Sequence, residues 1–220
     1  IFFWHIKEMN KMKQILCFGD SNTWGLIPAT RERYPWGVRW TSILQEKTKK
    51  DDVRIIEEGL CGRTTVFEDE LRTGRKGTAV LPMILESHSP LDEVIIMLGT
   101  NDCKRAYNAS AEVIGKGAEL LISQVKAIQP QSKILLVSTI DLGDEVWKSE
   151  FDPEFSKESV AVSKQLKNVY EKVAEKENVY FLAASDFAKS SKKDMEHLSP
   201  EGHAALAEAI YKKQKEMNII

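Results

Sequence analysis

Four short polar blocks in the sequence contain the residue types that acyl-transfer chemistry requires. They read "GDSN" (19–22), "EGLCGRTT" (58–65), "LGTND" (98–102) and "DMEHLSPEGH" (194–203). Each block alone is typical of a turn, because Gly, Asn and Asp are ordinary turn residues. Together they supply a serine, a histidine, an aspartate and donors for an oxyanion. A serine hydroxyl needs a basic partner to become a nucleophile, and that base needs an acid to hold its tautomer.

Ser21 is the candidate nucleophile, because it comes directly after an apolar run and its closing glycine. It does not belong to a lipase-type elbow, G-x-S-x-G, since Thr23 stands at the position of the second glycine. His197 is the candidate base and Asp194 the acid that orients it, because their spacing allows both to lie in one loop. His197 alone is equally consistent with a histidine at a helix entry that bonds a backbone carbonyl.

The candidate oxyanion donors are the backbone N–H groups of Ser21 and Gly62 and the side-chain amide of Asn101. Glycine suits a position where a substrate approaches the main chain closely. Each such donor contributes roughly 3 kcal/mol of transition-state stabilisation. The "GTND" block taken alone favours a plain turn residue at Asn101. Asp20 is adjacent to Ser21 and cannot easily reach the far side of the histidine ring, so we expect it to stabilise the turn.

Short apolar runs alternate with helical patterns along the chain, and we expect them to position these blocks. The runs are nearly continuous in Val, Ile and Leu, which is typical of strands covered on both faces. The predicted strands cover residues 13–18, 53–58, 93–98, 133–138 and 179–182. Three of the polar blocks follow these strands, and chemistry in a parallel sheet collects at the carboxyl ends of the strands.

The segments between the strands carry apolar residues at helical spacing, which predicts helices with one buried face. The two clearest sets are Val113, Ile114, Leu121, Ile122, Val125 and Ile128, and Val162, Leu166, Val169, Tyr170 and Val173. In the last helix Ser199 is the expected cap, and Pro200 suits the first turn. The alternation predicts a three-layer α/β/α sandwich around a parallel sheet of about five strands. We assign residues 13–220 to one domain and residues 1–12 to a disordered or artificially added extension.

The composition excludes several classes of protein. The chain has 220 residues, 42% of them hydrophobic, which suffices for one well-buried domain. Its 31 Lys and Arg balance 33 Asp and Glu without a block of like charge, so no nucleic-acid partner and no polybasic membrane patch are indicated. No apolar run approaches the roughly 18 residues of a membrane-spanning helix, so we expect a soluble protein.

The cysteines and histidines point to neither a disulfide framework nor a metal site. Cys17, Cys61 and Cys103 are widely spaced and form no C-x-x-C pair, which favours a reducing, cytoplasmic location. His203 lies six residues after His197, a spacing unlike that of a zinc-binding pair, and we expect it to be a polar surface residue. We predict no metal and no cofactor.

In combination and in this order, the four blocks resemble the signature blocks of the SGNH, or GDSL-type, hydrolase family of esterases and lipases. The resemblance covers residues 19–197 and implies a flavodoxin-like fold. It implies that Ser21 is the nucleophile, with Asp194 as the acid and His197 as the base. It also implies that Gly62 and Asn101 are oxyanion donors. The longer strings "CFGDSNTWG", "IEEGLCGRTT" and "VIIMLGTND" are similar to the arylesterase and acyltransferase branch of that family.

Two positions depart from the family pattern. Asn22 stands where the family name has Leu, and Cys61 stands where the arylesterase branch usually has a small residue. We expect Cys61 and Trp24 to line the substrate pocket. The neighbouring Trp36 and Trp40 are expected to divide between the core and the wall of that pocket.

The reaction that we expect is hydrolysis of a short-chain carboxylic ester, a small molecule, with acyl transfer to alcohols in competition. A thioesterase or a carbohydrate O-deacetylase would use the same triad. A non-catalytic binding module on the same kind of sheet is the alternative from a different class. The arylesterase resemblance also implies a homo-oligomer, with the 67–80 loop and its Phe67 and Leu71 as the expected contact.

Overall fold

The structure, a computed structural model, describes residues 12–220, and most of the predicted extension lies outside the described residues. Strands and helices alternate along the chain. The strands are β1 (Lys13–Gly19), β2 (Val53–Gly59), β3 (Glu93–Met97), β4 (Lys133–Ser138) and β5 (Tyr180–Ala183). The helices are α1 (Ser21–Trp24), α2 (Trp40–Lys47), α3 (Gly77–Ser87), α4 (Ala111–Ile128), α5 (Lys157–Glu177) and α6 (Pro200–Glu216).

The five strands form one parallel sheet in the order β2-β1-β3-β4-β5. Because β2 lies on one side of β1 and β3 lies on the other, the winding direction reverses between β1 and β3. A crevice for ligands forms outside the carboxyl ends of the strands at such a reversal. Ser21 follows β1 and Asn101 follows β3, so the topology brings both to this crevice.

Two apolar layers cover the two faces of the sheet. Successive residues of a strand point to opposite faces, so Leu16 and Phe18 of β1 pack into one layer and Ile15 and Cys17 into the other. The first layer includes the inner faces of α3, α4 and α5, and the second includes those of α2 and α6. This arrangement confirms the predicted α/β/α sandwich with a five-stranded parallel sheet.

The predicted elements agree closely with the structure, and one helix face differs. Each predicted strand lies within one residue of the observed strand at either end. Ser199 caps α6, because its Oγ accepts a hydrogen bond from Gly202 N at 3.2 Å, and Pro200 is the first residue of the helix. The prediction that Val113 belongs to the buried face of α4 is wrong. Val113 is 42% exposed because it lies one helical step, about 100°, from the buried Ile114.

Within residues 12–220, none of the helices combines the length and the apolar character that are needed to cross a bilayer.

Candidate active site

The turn after β1 presents a serine at the edge of the sheet. Asp20 Oδ1 accepts a hydrogen bond from Asn22 N at 2.9 Å, so Asp20 caps α1, in which Ser21 is the first residue. Gly19 is required because a Cβ there would lie 2.0 Å from Thr23 Oγ1. Ser21 is 3% exposed, so its hydroxyl is held on a rigid support with little access to bulk water. Asp20 therefore stabilises the turn, as the sequence predicts.

Two short hydrogen bonds join three of the predicted site residues. His197 Nε2 lies 2.8 Å from Ser21 Oγ, and His197 Nδ1 lies 2.8 Å from Asp194 Oδ2. Asp194 Oδ1 accepts hydrogen bonds from His197 N at 3.0 Å and Glu196 N at 3.1 Å, and Oδ2 accepts one from Ala29 N at 3.0 Å. These contacts hold the carboxylate in place. When Nδ1 carries the ring proton and donates a hydrogen bond to Asp194, Nε2 is free to accept the proton of the Ser21 hydroxyl.

Asn22 joins the serine turn to the histidine loop. Its Oδ1 accepts a hydrogen bond from Leu198 N at 2.9 Å, and its Nδ2 donates to Glu196 O at 3.4 Å. The side chain is 4% exposed. The residue that departs from the family name therefore fixes the loop that carries His197 relative to Ser21. The sequence shows the departure but contains no signal for this contact, which depends on two segments that are 174 residues apart.

The other two predicted oxyanion donors, Gly62 and Asn101, lie on neighbouring loops that a hydrogen bond connects. Gly62 has a φ of +84°, a conformation that side chains disfavour, so glycine is required there. Asn101 is 3% exposed, and its Nδ2 donates to Arg63 O at 3.1 Å. An amide carries two N–H donors, and this contact uses one of them. The main chain beside Gly62 thus orients the Asn101 amide.

The side chain of Arg63, which sequence reasoning missed, connects the glycine loop to the ends of β1 and β2. Its Nη1 donates to Gly19 O at 2.9 Å and also to Glu58 O, and its guanidinium carbon lies 4.3 Å from the centre of the Phe18 ring. The side chain is 4% exposed, and burial lowers the pKa of Arg63 to about 10. It therefore ties the end of β1 to the glycine loop.

Asp102 provides a second tie between the loops after β2 and β3. Both of its carboxylate oxygens accept a hydrogen bond from Thr65 N at 3.0 Å, and Oδ1 also accepts one from Thr65 Oγ1 at 2.5 Å. Burial raises the pKa of Asp102 to about 6, against the effect of these hydrogen bonds. The residue after Asn101 in the "GTND" block thus holds its loop against the "GRTT" block.

Carboxyl groups surround the imidazole of His197. Burial alone would lower its pKa, but the charge of Glu196, the hydrogen bond to Asp194 and the charge of Asp20 raise the pKa of His197 to about 9. Burial alone would raise the pKa of Asp194, but the hydrogen bond to His197 and the charge of His197 hold this pKa below its ordinary value. Burial raises the pKa of Glu196 to about 7. The surroundings therefore favour a cationic imidazole.

His203 is buried, so the sequence prediction for this residue is wrong. It lies in the first turn of α6, and it is fully buried rather than a polar surface residue. Its Nδ1 accepts a hydrogen bond from Trp40 N at 3.3 Å, and the Tyr34 ring packs edge-on against it. Burial and the charge of Arg39 lower the pKa of His203 to about 4, which keeps the ring neutral at ordinary pH.

The residues predicted to line the pocket flank the site. Trp24 is the last residue of α1 and is half-buried, with the Arg33 guanidinium 5.4 Å from the centre of its ring. Cys61 is half-buried beside Gly62, and burial raises the pKa of its thiol to about 11. Trp40 is fully buried, which places it in the core, and Trp36 is 54% exposed; a place for Trp36 in the pocket wall stays a prediction. Contact of Trp24 and Cys61 with a substrate stays a prediction.

The loop between Gly62 and α3 folds back over the glycine. A Cβ on Gly62 would lie 2.5 Å from Arg72 Nη1, and Arg72 Nη2 donates to Cys61 O at 2.9 Å. Phe67 stacks on Tyr107 with ring centres 4.8 Å apart, whereas Leu71 is 94% exposed. This loop therefore covers one side of the candidate oxyanion donor. Its predicted extent to residue 80 is too long, because α3 begins at residue 77.

The fold and the site together are those of the SGNH hydrolase class, an α/β sandwich with a serine at the end of β1 and a histidine shortly before the last helix. The chain belongs to the GDSL-like lipase/acylhydrolase family, which matches residues 17–205. The resemblance drawn from the sequence is thereby confirmed. No curated protein gives a significant match to the chain.

Solved structures of esterases superpose on nearly the whole chain. Est24, a carbohydrate acetylesterase from Sinorhizobium meliloti, is 36% identical, covers 93% of this chain and 99% of its own, and has a TM-score of 0.86. A second carbohydrate acetylesterase family member from S. meliloti is 32% identical, with coverage of 95% and 100% and a TM-score of 0.88. The native aryl esterase of M. smegmatis is 32% identical, with coverage of 93% and 99% and a TM-score of 0.85.

Proposed function

We propose that this protein is a serine esterase that hydrolyses short-chain carboxylic esters through an acyl-enzyme. The observation that carries the proposal is the pair of 2.8 Å contacts that link Ser21 Oγ, the two ring nitrogens of His197 and Asp194 Oδ2. In this reaction Ser21 is the nucleophile, His197 is the base and then the acid, and Asp194 holds the ring and stabilises its cation.

The first step forms the acyl-enzyme. Ser21 Oγ attacks the ester carbonyl carbon while its proton passes to His197 Nε2. The carbonyl oxygen becomes an oxyanion, which accepts hydrogen bonds from the N–H groups of Ser21 and Gly62 and from the Asn101 amide. His197 then gives the proton to the alkoxide oxygen, which leaves as an alcohol. Because the pKa of His197 is raised to about 9, the ring takes this role in its neutral form, on the alkaline side of that pKa.

An acetyl group on an aryl alcohol or a sugar is the substrate class that we favour. Two of the similar structures are described as carbohydrate acetylesterases, which supports a small acyl group, and a third is described as an aryl esterase, which supports an aryl alcohol as the leaving group. Carbohydrate O-deacetylation is therefore the second candidate function. Trp24 and Cys61, half-buried next to the site, are the residues that we propose to contact the substrate.

Acyl transfer and self-association are further parts of the proposal. A partly closed, aromatic entrance would disfavour bulk water relative to an alcohol as the acyl acceptor. We further propose that copies of the chain associate through the loop around Leu71, whose side chain is 94% exposed although it is apolar.

The test combines one variant, one covalent probe and a substrate panel. Ser21→Ala should keep the fold by circular dichroism, lose ester turnover by at least about 10³-fold and lose labelling by a fluorophosphonate. Ser149→Ala, which changes an exposed serine, is the matched control and should behave like the parent protein. Turnover by the Ser21→Ala variant at the parent rate would refute the assignment. Comparison of kcat/KM for aryl acetates and acetylated sugars decides between the two candidate functions.

A further inference from the structure

Glu196 places a second carboxyl group beside the reactive nitrogen of His197. Its Oε1 lies 3.7 Å from His197 Nε2, the same atom that lies 2.8 Å from Ser21 Oγ. The side chain is 9% exposed. The sequence places this residue between the acid and the base of the "DMEH" block; its charge raises the pKa of His197, but it makes no contact with the reacting atoms in the acylation step.

The main chain of Glu196 is held firmly, but its carboxylate is not. Glu196 N donates to Asp194 Oδ1 at 3.1 Å, and Glu196 O accepts from Asn22 Nδ2 at 3.4 Å. Across residues 12–220, no hydrogen bond reaches either carboxylate oxygen of Glu196. Among residues 12–220, neither oxygen is one of the side-chain atoms that are both fully buried and without a partner, so water can still reach the Glu196 carboxylate beside the reactive nitrogen.

We infer that Glu196 holds the water molecule that attacks the acyl-enzyme, an inference that rests on the proposed function. A water oxygen can lie about 2.8 Å from two acceptors that are 3.7 Å apart, and so can contact His197 Nε2 and Glu196 Oε1 together. The attacking water has two O–H bonds. One points to Nε2 and the other points to the Glu196 carboxylate.

The step is balanced with these two residues and water alone. The water oxygen forms a bond to the acyl carbon as its first proton passes to His197 Nε2. The bond between the acyl carbon and Ser21 Oγ then breaks, and His197 returns the proton to Oγ. The second proton stays on the new carboxylic acid, and Glu196 accepts a hydrogen bond from it throughout.

The same geometry distinguishes water from an alcohol as the acyl acceptor. An alcohol has a single O–H, which His197 must receive, so no donor remains for Glu196. The first carbon atom of the alcohol would instead lie against the Glu196 carboxylate and exclude water from it, which is unfavourable. Glu196 should therefore favour hydrolysis over acyl transfer, and it should act in the second half of the reaction only.

The experiment separates the two halves of the reaction with an aryl acetate in rapid-mixing kinetics. The burst of aryl alcohol reports acylation, and the steady rate reports deacylation. Glu196→Met removes the acceptor, and Glu196→Gln keeps an acceptor oxygen without the charge. Glu201→Met, at an exposed glutamate, is the matched control. All rates are measured on the alkaline plateau of each variant, where His197 is neutral.

We expect the steady rate of Glu196→Met to fall about tenfold or more while its burst rate stays close to that of the parent protein. With propanol present, its ratio of propyl acetate to free acetate should rise by a similar factor. Glu196→Gln should lie between the parent protein and Glu196→Met, and Glu201→Met should match the parent. If Glu196→Met does not fold, the ratio of propyl acetate to free acetate for Glu196→Gln tests the inference, and a ratio above that of the parent protein supports it.

Two results would overturn the inference. An equal loss in burst and steady rates would mean that Glu196 acts through His197 or through the fold. An unchanged partition ratio in both variants would mean that Glu196 does not contact the acceptor. A parent protein that shows neither a burst nor labelling of Ser21 would instead refute the proposed function, so the two failures are distinguishable.

Discussion

Glu93 should make the stability of this protein fall as the pH rises, and its replacement by glutamine should remove that loss. Glu93 is the first residue of β3 and is fully buried at the amino end of the sheet. Its Oε2 accepts a hydrogen bond from Gln214 Nε2 at 2.6 Å, and its Oε1 has no partner among the described residues. Burial raises its pKa from the ordinary 4.5 to about 8, although Gln214 and the charge of Lys133 act downward.

The size of the effect follows from this pKa. The folded protein keeps the Glu93 proton up to about pH 8, whereas the unfolded chain releases it at about pH 4.5. The contribution to stability is therefore complete below pH 4.5 and is lost as the pH rises to 8. Within that window each pH unit costs about 1.4 kcal/mol, so about 3 kcal/mol of unfolding free energy is missing at pH 7.

Glu93→Gln should recover this free energy, because the amide oxygen still accepts from Gln214 and no charge is buried. The expected gain in Tm at pH 7 to 8 is about 6–12 °C, and it should vanish near pH 4.5. Thermal and urea denaturation followed by circular dichroism at several pH values measure it. Glu175→Gln, at an exposed position of α5, is the control and should show no such gain.

Activity provides an independent check on the same variant. Glu93 lies at the amino end of the sheet and Ser21 lies at the carboxyl end, so kcat/KM at 25 °C should not change. A Glu93→Gln variant with equal stability gains at pH 4.5 and pH 8, or with no gain at either, would show that the Glu93 carboxyl does not titrate as the structure indicates.

Three further outcomes are expected. Because neutral His197 is the proposed base and its pKa is about 9, kcat/KM should increase with pH through an apparent pKa near 9, and a flat profile from pH 6 to 9 would contradict this role. Arg63→Met removes the guanidinium donor from the carbonyls of Gly19 and Glu58, although Gly19 O keeps the hydrogen bond from Leu60 N, so urea denaturation should show a loss of about 1–3 kcal/mol; a loss that is within error of zero would refute the tie between β1 and the glycine loop. Light scattering should show an oligomer that Leu71→Asp converts to the monomer, and a parent protein that is monomeric at working concentrations would contradict the proposed contact.

The sequence by itself determined the strands, the layers and the positions of the polar blocks. Continuous apolar runs indicate strands that are covered on both faces. The turn residues after these runs indicate the carboxyl edge of a parallel sheet. The cap at Ser199 followed by Pro200 likewise reports the start of α6, because capping depends on local hydrogen bonding. Patterns of this kind are local, so they can be recognised in the sequence without knowing which distant residues pack against them. The serine, histidine and aspartate of the site could be chosen from the sequence for a different reason, because acyl-transfer chemistry allows only a few residue types.

Only the tertiary structure decided which side chains meet across long separations. The approach of Glu196 to the reactive nitrogen depends on the conformation of the loop that Asn22 fixes, and Asn22 lies 174 residues away in the chain. His203 has the polarity of a surface residue, yet α6 turns it toward α2, where a backbone N–H compensates its burial. Arg63 has the same charge as an exposed arginine, and it is buried because two main-chain carbonyls and the face of Phe18 surround it. Polarity and periodicity specify the solvent-exposed and buried faces on average, but a buried polar side chain is specified by the partners that the fold brings to it.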